Sequence, residues 1–251
     1  ELLERAKRIV GETDRLIRDF QGQASLTSGR VAISVSPTVA TGLIARFLVL
    51  FEQEFPSITV SVREDLGAAM FEALETADVE LGIGPYAEAP ERLSFRPLFE
   101  QPFFLIVAAD HPLARRGHAR LADLAGLALL CPARGTTARA VIDDAARAAG
   151  LALQPKYEAT QHDTLVSMAA AGLGATVMPA GDRRVLAALG VAAVPFEDAR
   201  LSRKVGVLSR RHEPLTAPAA AFLRLLLLVA TGGIAVGDTG LRPIVADAPG
   251  I

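Results

Sequence analysis

A β-branched, apolar run from Val31 to Val35 stops at Ser36-Pro37-Thr38, where a helical pattern begins. Proline at a first helical position has no N–H to waste and has φ already set, so Ser36 reads as the N-cap. A helix starting there aims free backbone N–H groups and the positive end of its dipole beyond the strand, beside two hydroxyls. That is chemistry suited to a small anion or a carboxylate. The combination recurs at Arg134-Gly135-Thr136-Thr137 and at Thr160-Gln161-His162-Asp163, while Leu66-Gly67 and Gly84-Pro85-Tyr86 follow other expected strands. Ordinary capping accounts for any one of these. Several facing one place is what an anion site built from helix starts and hydroxyls requires.

Other chemistries find less support. Gly172-Leu173-Gly174 ends a helical pattern and precedes a strand, whereas a dinucleotide fingerprint follows a strand and opens a helix, so it reads as a C-cap and tight turn. There is no G-x-S-x-G elbow, and His111, His118, His162 and His212 show no metal spacing. No acid, base and nucleophile constellation emerges, so neither an enzyme nor a cofactor or metal is expected. Cys131 is the only cysteine, which excludes a disulfide within these residues and any multi-cysteine metal site. It closes a strand before Pro132 and reads as a small buried hydrophobe, with redox sensing as the alternative.

The elements that must position these groups follow from the hydropathy pattern. Of 251 residues 51% are hydrophobic, enough for one large domain or two small α/β lobes. The apolar run ending at Ala230 is broken by Arg224 and falls far short of the ~18 residues of a membrane span. A net charge of −2 gives no basic footprint for nucleic acid. Strands at 31–35, 58–63 and 79–83 alternate with helices at 38–55 and around 70–74, the order of a parallel sheet covered on both faces. After the proline-punctuated connection 85–97, a long apolar strand at 98–109 opens a second alternation. It has strands at 127–131, 156–159, 175–178 and 191–194 and helices at 138–149 and 164–171. A strand at 205–208 and a helix at 217–230 return to the first lobe. Two such units define a cleft, with ligand groups at the carboxyl ends of the strands.

At the amino end, Leu2, Ala6, Ile9, Thr13, Leu16 and Phe20 form an a/d seam among five basic and five acidic residues, the pattern of a self-pairing helix or of one packed on its own domain. Residues 21–28 read as a polar linker, and 231–251, rich in Gly and Pro, as a flexible tail.

Five segments in this order and spacing resemble the effector-binding region of LysR-type transcriptional regulators: GRVAISVSPTVA, LIARFLVLFEQEFPSITVSV, LETADVELGIG, LFEQPFFLIVAADHPLA and TQHDTLVSMAAAGLGATVMP. The resemblance covers residues 1–228. It implies two Rossmann-like lobes joined by crossing strands, similar to type 2 periplasmic binding proteins, with lobe I at 29–97 plus about 203–230 and lobe II at 98–202. It also implies that residues 1–20 are a linker helix pairing subunits into a dimer or tetramer. DNA would be bound only through a winged helix-turn-helix missing here, in a bacterial cytoplasmic protein without membrane contact. The effector would lie between the lobes against Ser36, Pro37, Thr38, Gly67, Thr136, Thr137, Gln161 and His162, with Arg134 or Arg139 available to pair a carboxylate. A transporter's solute-binding protein, sharing fold and cleft, is the alternative.

Overall fold

The structure is a computed structural model that describes residues 28–86, 90–199, 201–232 and 241–244. The expected pairing helix 1–20, most of the linker and most of the tail lie outside the described residues. In chain order the elements are β1 (Gly29–Val35), α1 (Pro37–Val39), a π-helical stretch (Ala40–Ile44), α2 (Ala45–Glu54), β2 (Ile58–Glu64), α3 (Ala68–Glu75), β3 (Leu81–Pro85) and β4 (Leu93–Ala108). There follow α4 (Pro112–Arg116), a 3₁₀ turn (Leu121–Gly126), β5 (Leu129–Pro132), α5 (Thr137–Ala148), β6 (Pro155–Ala159) and α6 (His162–Ala170). The remainder are β7 (Thr176–Pro179), α7 (Arg183–Ala188), β8 (Val191–Val194), β9 (Ser202–Arg210), α8 (Ala217–Ala230) and the short β10 (Arg242–Pro243).

These elements form two units. The chain passes from the first to the second within β4, between Phe99 and Glu100, and back within β9, between Arg203 and Lys204. Among the described residues no helix is long and apolar enough to cross a membrane.

In the first unit β1 is central. It pairs in parallel with β2 from Gly29↔Ile58 to Val35↔Glu64 and with β3 from Ile33↔Leu81 to Val35↔Ile83. β9 then joins β3 antiparallel, and β4 lies beyond β9. Antiparallel pairing of strands far apart in sequence leaves no local signature, so the expected parallel sheet is a mixed one. Val31, Ile33 and Val35 are fully buried, as β-branched residues on a strand covered by helices should be. One cover is an aromatic cluster: Phe222 of α8 lies with its ring centroid 4.8 Å from that of Phe47 and 5.1 Å from that of Phe51, both on α2. α8 buries Phe222, Leu225, Leu226 and Val229, spaced three and four apart. Its start is held by Thr216, whose Oγ1 accepts from the Ala219 N–H and donates to buried Glu80 at 2.6 Å.

In the second unit the later part of β4 pairs antiparallel with β7, Phe103↔Pro179 to Ile106↔Thr176, and with β8, Leu105↔Val194 to Ala108↔Val191. β5 adjoins β7 through the Leu130 N–H to Ala175 O bond of 2.9 Å, and β6 pairs in parallel with β5. Alternation along β4 sends Phe103, Leu105 and Val107 into one core with Cys131 and Ile142, and Phe104 and Ile106 into another with Leu165, Val166 and Met178. Both faces are therefore covered.

β4 begins five residues before the expected 98, because its first part pairs with β9; there Ser94 Oγ lies 2.9 Å from Ser209 Oγ. α4 and α7 fall in stretches where no helix is expected; each is under two turns, too short for a 3.6-residue period to show. In the stretch expected to be tail, Arg242–Pro243 lies beside β4, and the Ile244 N–H donates to Leu98 O at 3.0 Å.

Candidate functional site

The first unit places Ser36, Pro37, Thr38 and Gly67 on one edge of its sheet. Parallel register brings the ends of β1, β2 and β3 level: the Ser36 N–H donates to Ile83 O at 2.9 Å and the Asp65 N–H to Val35 O at 3.1 Å. Ser36 occupies the N-cap position with extended backbone, and its carbonyl accepts from the Val39 and Ala40 N–H groups. Its hydroxyl, however, makes no capping bond, which corrects the sequence expectation in one respect. Ser36 is 3% exposed, and Oγ has no hydrogen-bond partner among the described residues. A buried hydroxyl left without a hydrogen bond costs about 1–3 kcal/mol.

Around it the fit is close. Pro37 occupies N1, Thr38 is buried at N2, and the π-helical stretch begins two residues later. Such irregular turns occur frequently at functional sites. Gly67 stands at the start of α3 with φ 47° and ψ −114°, a conformation open chiefly to glycine, and its carbonyl accepts from the Met70 N–H at 3.2 Å. Beneath them Ser34 Oγ donates to Asp65 Oδ2 at 2.7 Å, and Arg63 pairs with the same carboxylate.

The second unit likewise gathers Thr136, Thr137, Gln161 and His162 on one edge. Pro132 of β5 is level with Ala159 of β6, and the Ala133 N–H donates to Ala159 O. Thr136 caps α5: Oγ1 accepts from the Arg139 N–H at 3.2 Å and donates to Ala133 O at 2.9 Å. Thr137 Oγ1 accepts instead from Arg203 Nη1 at 2.8 Å. Gln161, exposed, takes the N-cap position of α6 without a side-chain cap bond. His162 is half-buried, with Nδ1 3.2 Å from Asp163 Oδ1 and Nε2 3.4 Å from Pro179 O at the end of β7.

Arg139 is not available to a ligand. It is 4% exposed and bonds Asp143 at 2.8 Å, Glu158 at 2.7 Å and Pro132 O at 3.2 Å, stapling α5 across β5 to β6. Desolvation pulls its guanidinium pKa down, but the bonds to Glu158 and Asp143 outweigh this and leave it raised. Cys131 lies close by, 3% exposed, and burial pushes its thiol up despite the positive field of Arg139. A raised thiol pKa means less thiolate and lower reactivity.

The family profile for the LysR substrate binding domain matches residues 24–230. The chain belongs to that family. Among its relatives, the DNA-binding transcriptional dual regulator OxyR of Escherichia coli K12 is 28% identical over 218 residues, 85% of this chain and 70% of OxyR. A hydrogen peroxide-inducible genes activator of Pectobacterium carotovorum subsp. carotovorum is 27% identical over 215 residues, 85% of this chain and 71% of the activator. Solved structures agree in fold. The effector binding domain of QuiR in complex with shikimate superposes with a TM-score of 0.75 at 18% identity, covering 83% of this chain and 100% of that one. The reduced form of OxyR gives 0.68 at 26% identity, with 83% and 98% covered. The protein is thus the effector-sensing region of a LysR-type regulator, with the two-lobe architecture of periplasmic binding proteins, and its relatives are regulators rather than transport proteins or enzymes.

Gly84, placed at a strand end by the sequence, is the penultimate residue of β3 and lies beside Ser36. Two further residues next to the candidate positions of this LysR domain escape sequence reasoning. Gln101 is 2% exposed and accepts from Arg203 Nε at 2.9 Å; its sign in the sequence is a polar side chain inside the apolar run LFEQPFFLIV. Arg203 itself, 66 residues from its partner Thr137, leaves no local signal.

Proposed function

We propose that the effector sensed by this LysR-type region is a small organic anion. The candidate contacts are Ser36, Pro37, Thr38 and Gly67 in the first unit, and Thr136, Thr137, Gln161 and His162 in the second. The observation that carries this reading is Ser36 Oγ, buried and unbonded at a helix start, where the positive end of the dipole favours negative charge. On the second unit the start of α5 adds the Thr137 hydroxyl, and the start of α6 adds the polar side chains of Gln161 and His162. The structural relative QuiR holds shikimate, a carboxylate carrying hydroxyls, which suits such donors.

Peroxide sensing, suggested by the names of the sequence relatives, fits this chain less well. One cysteine cannot close a disulfide within these residues, and Cys131 is buried with its thiol pKa raised. Self-association through the a/d seam of residues 1–20, and DNA binding through a domain outside this chain, complete the proposal.

Thermal denaturation in the presence of small hydroxycarboxylates, shikimate among them, tests the ligand class. At least one should raise the midpoint, and its neutral methyl ester should not. A panel in which only uncharged or cationic compounds stabilise the protein would overturn it. Sedimentation with and without residues 1–20 tests the pairing.

A further inference from the structure

The two strands by which the chain passes between its units are tied side by side within the second unit. The Phe103 N–H donates to Leu201 O at 2.8 Å, and Ser202 Oγ donates to Glu100 Oε1 at 2.5 Å. Arg203 makes a further tie. Its Nε donates to Gln101 Oε1 at 2.9 Å, its Nη1 to Thr137 Oγ1 at 2.8 Å, and its guanidinium lies 5.5 Å from the centroid of Phe103. One planar fork therefore joins β9, β4 and the first residue of α5. Arg203 and Gln101 are the last residue of the second unit on β9 and its second residue on β4. Desolvation lowers the guanidinium pKa to about 9, so the charge is kept at neutral pH against a real cost.

We propose that Arg203 is a positioning residue that couples the start of α5 to both crossing strands. A threonine hydroxyl that accepts from Arg203 still has its own proton to give. A ligand acceptor at Thr137 completes the chain Arg203 N–H to Thr137 O–H to ligand, and successive hydrogen bonds polarise and strengthen one another. Occupancy at Thr137 then strengthens the Arg203–Thr137 bond and fixes the planar guanidinium, whose Nε holds Gln101, restricting the two crossings. The role of Thr137 as a ligand contact rests on the proposed function; the mechanical link does not.

Hydrogen exchange on the free 251-residue chain tests the link without any ligand. Thr137→Val removes the acceptor, keeps the shape, and leaves the Thr136 cap in place. It should raise exchange about fivefold or more in peptides covering 100–104 and 201–205. Thr137→Ser should restore protection, and Thr136→Ala, which weakens the cap of the same helix, should leave those peptides near wild type. Unchanged exchange there in Thr137→Val, or equal loosening by Thr136→Ala, would overturn the proposal. A ligand panel that fails to stabilise the protein would instead count against the proposed function and leave this result standing.

Discussion

A β-carbon on Gly84 would stand 3.5 Å from Ser36 Oγ and 3.2 Å from Met70 Cε, so the glycine one residue before the end of β3 leaves a methyl-sized gap beside a buried hydroxyl. Gly84→Ala fills that room at ordinary contact distance on the Ser36 side, while the flexible thioether end of Met70 can give way. Stability should change by less than about 1 kcal/mol. Effector binding should weaken at least about tenfold, a loss of ~1.4 kcal/mol measurable by calorimetry against the unchanged melting midpoint.

Two serine and threonine substitutions should separate structural caps from the site. Ser36→Ala removes a hydroxyl that bonds nothing among the described residues, so the free protein should be unaltered or stabilised by up to about 1 kcal/mol. Thr216→Ala removes both the α8 cap and the bond to buried Glu80, and should cost about 2 kcal/mol or more. Urea unfolding of the two variants reads the contrast directly.

Arg139 is an internal staple, so its loss should appear in stability and not in binding. Arg139→Met retains the apolar stem but leaves Pro132 O and the two carboxylates without their donor. Asp143 and Glu158 are 36% and 42% exposed and recover water, which holds the expected loss to about 2 kcal/mol. Unfolding midpoints with a titration of the stabilising anion distinguish this from a ligand role.

Acid sensitivity should concentrate in the second unit. The backbone N–H of Arg120 and the Arg116 guanidinium hold Asp123 below its ordinary range, and the Arg120 side chain does the same for Glu197. In the pH range between the unfolded and folded values, the unfolded chain binds more protons. The stabilisation is therefore complete above the unfolded values near 4, and is lost as pH falls through the lowered folded ones. Melting midpoints from pH 6 to pH 3 should fall, and Asp123→Asn or Glu197→Gln should flatten the lower part of that slope.

Much of the architecture was legible because local pattern and tertiary role coincide. Val31, Ile33 and Val35 are β-branched because alternation puts all three on one buried face of β1, and Pro37 begins a helix because its ring fits no later position. What could not be read depends on partners distant in sequence: the antiparallel pairing of β3 with β9, and of β4 with β7 and β8. A serine before proline looks like a cap whether or not its hydroxyl is used, so the unspent Oγ of Ser36 emerges only in three dimensions. From sequence Arg139 reads as available to a carboxylate ligand; its burial follows from carboxylates four residues along α5 and across on β6.

The central claim is that Ser36 contributes its hydroxyl to the effector. Isothermal titration of whichever hydroxycarboxylate stabilises the protein, into wild type and Ser36→Ala, tests it most directly. Affinity should be at least about tenfold weaker in Ser36→Ala, with an unfolding midpoint equal to or above wild type. Affinity at the wild-type level in a folded Ser36→Ala protein would contradict it.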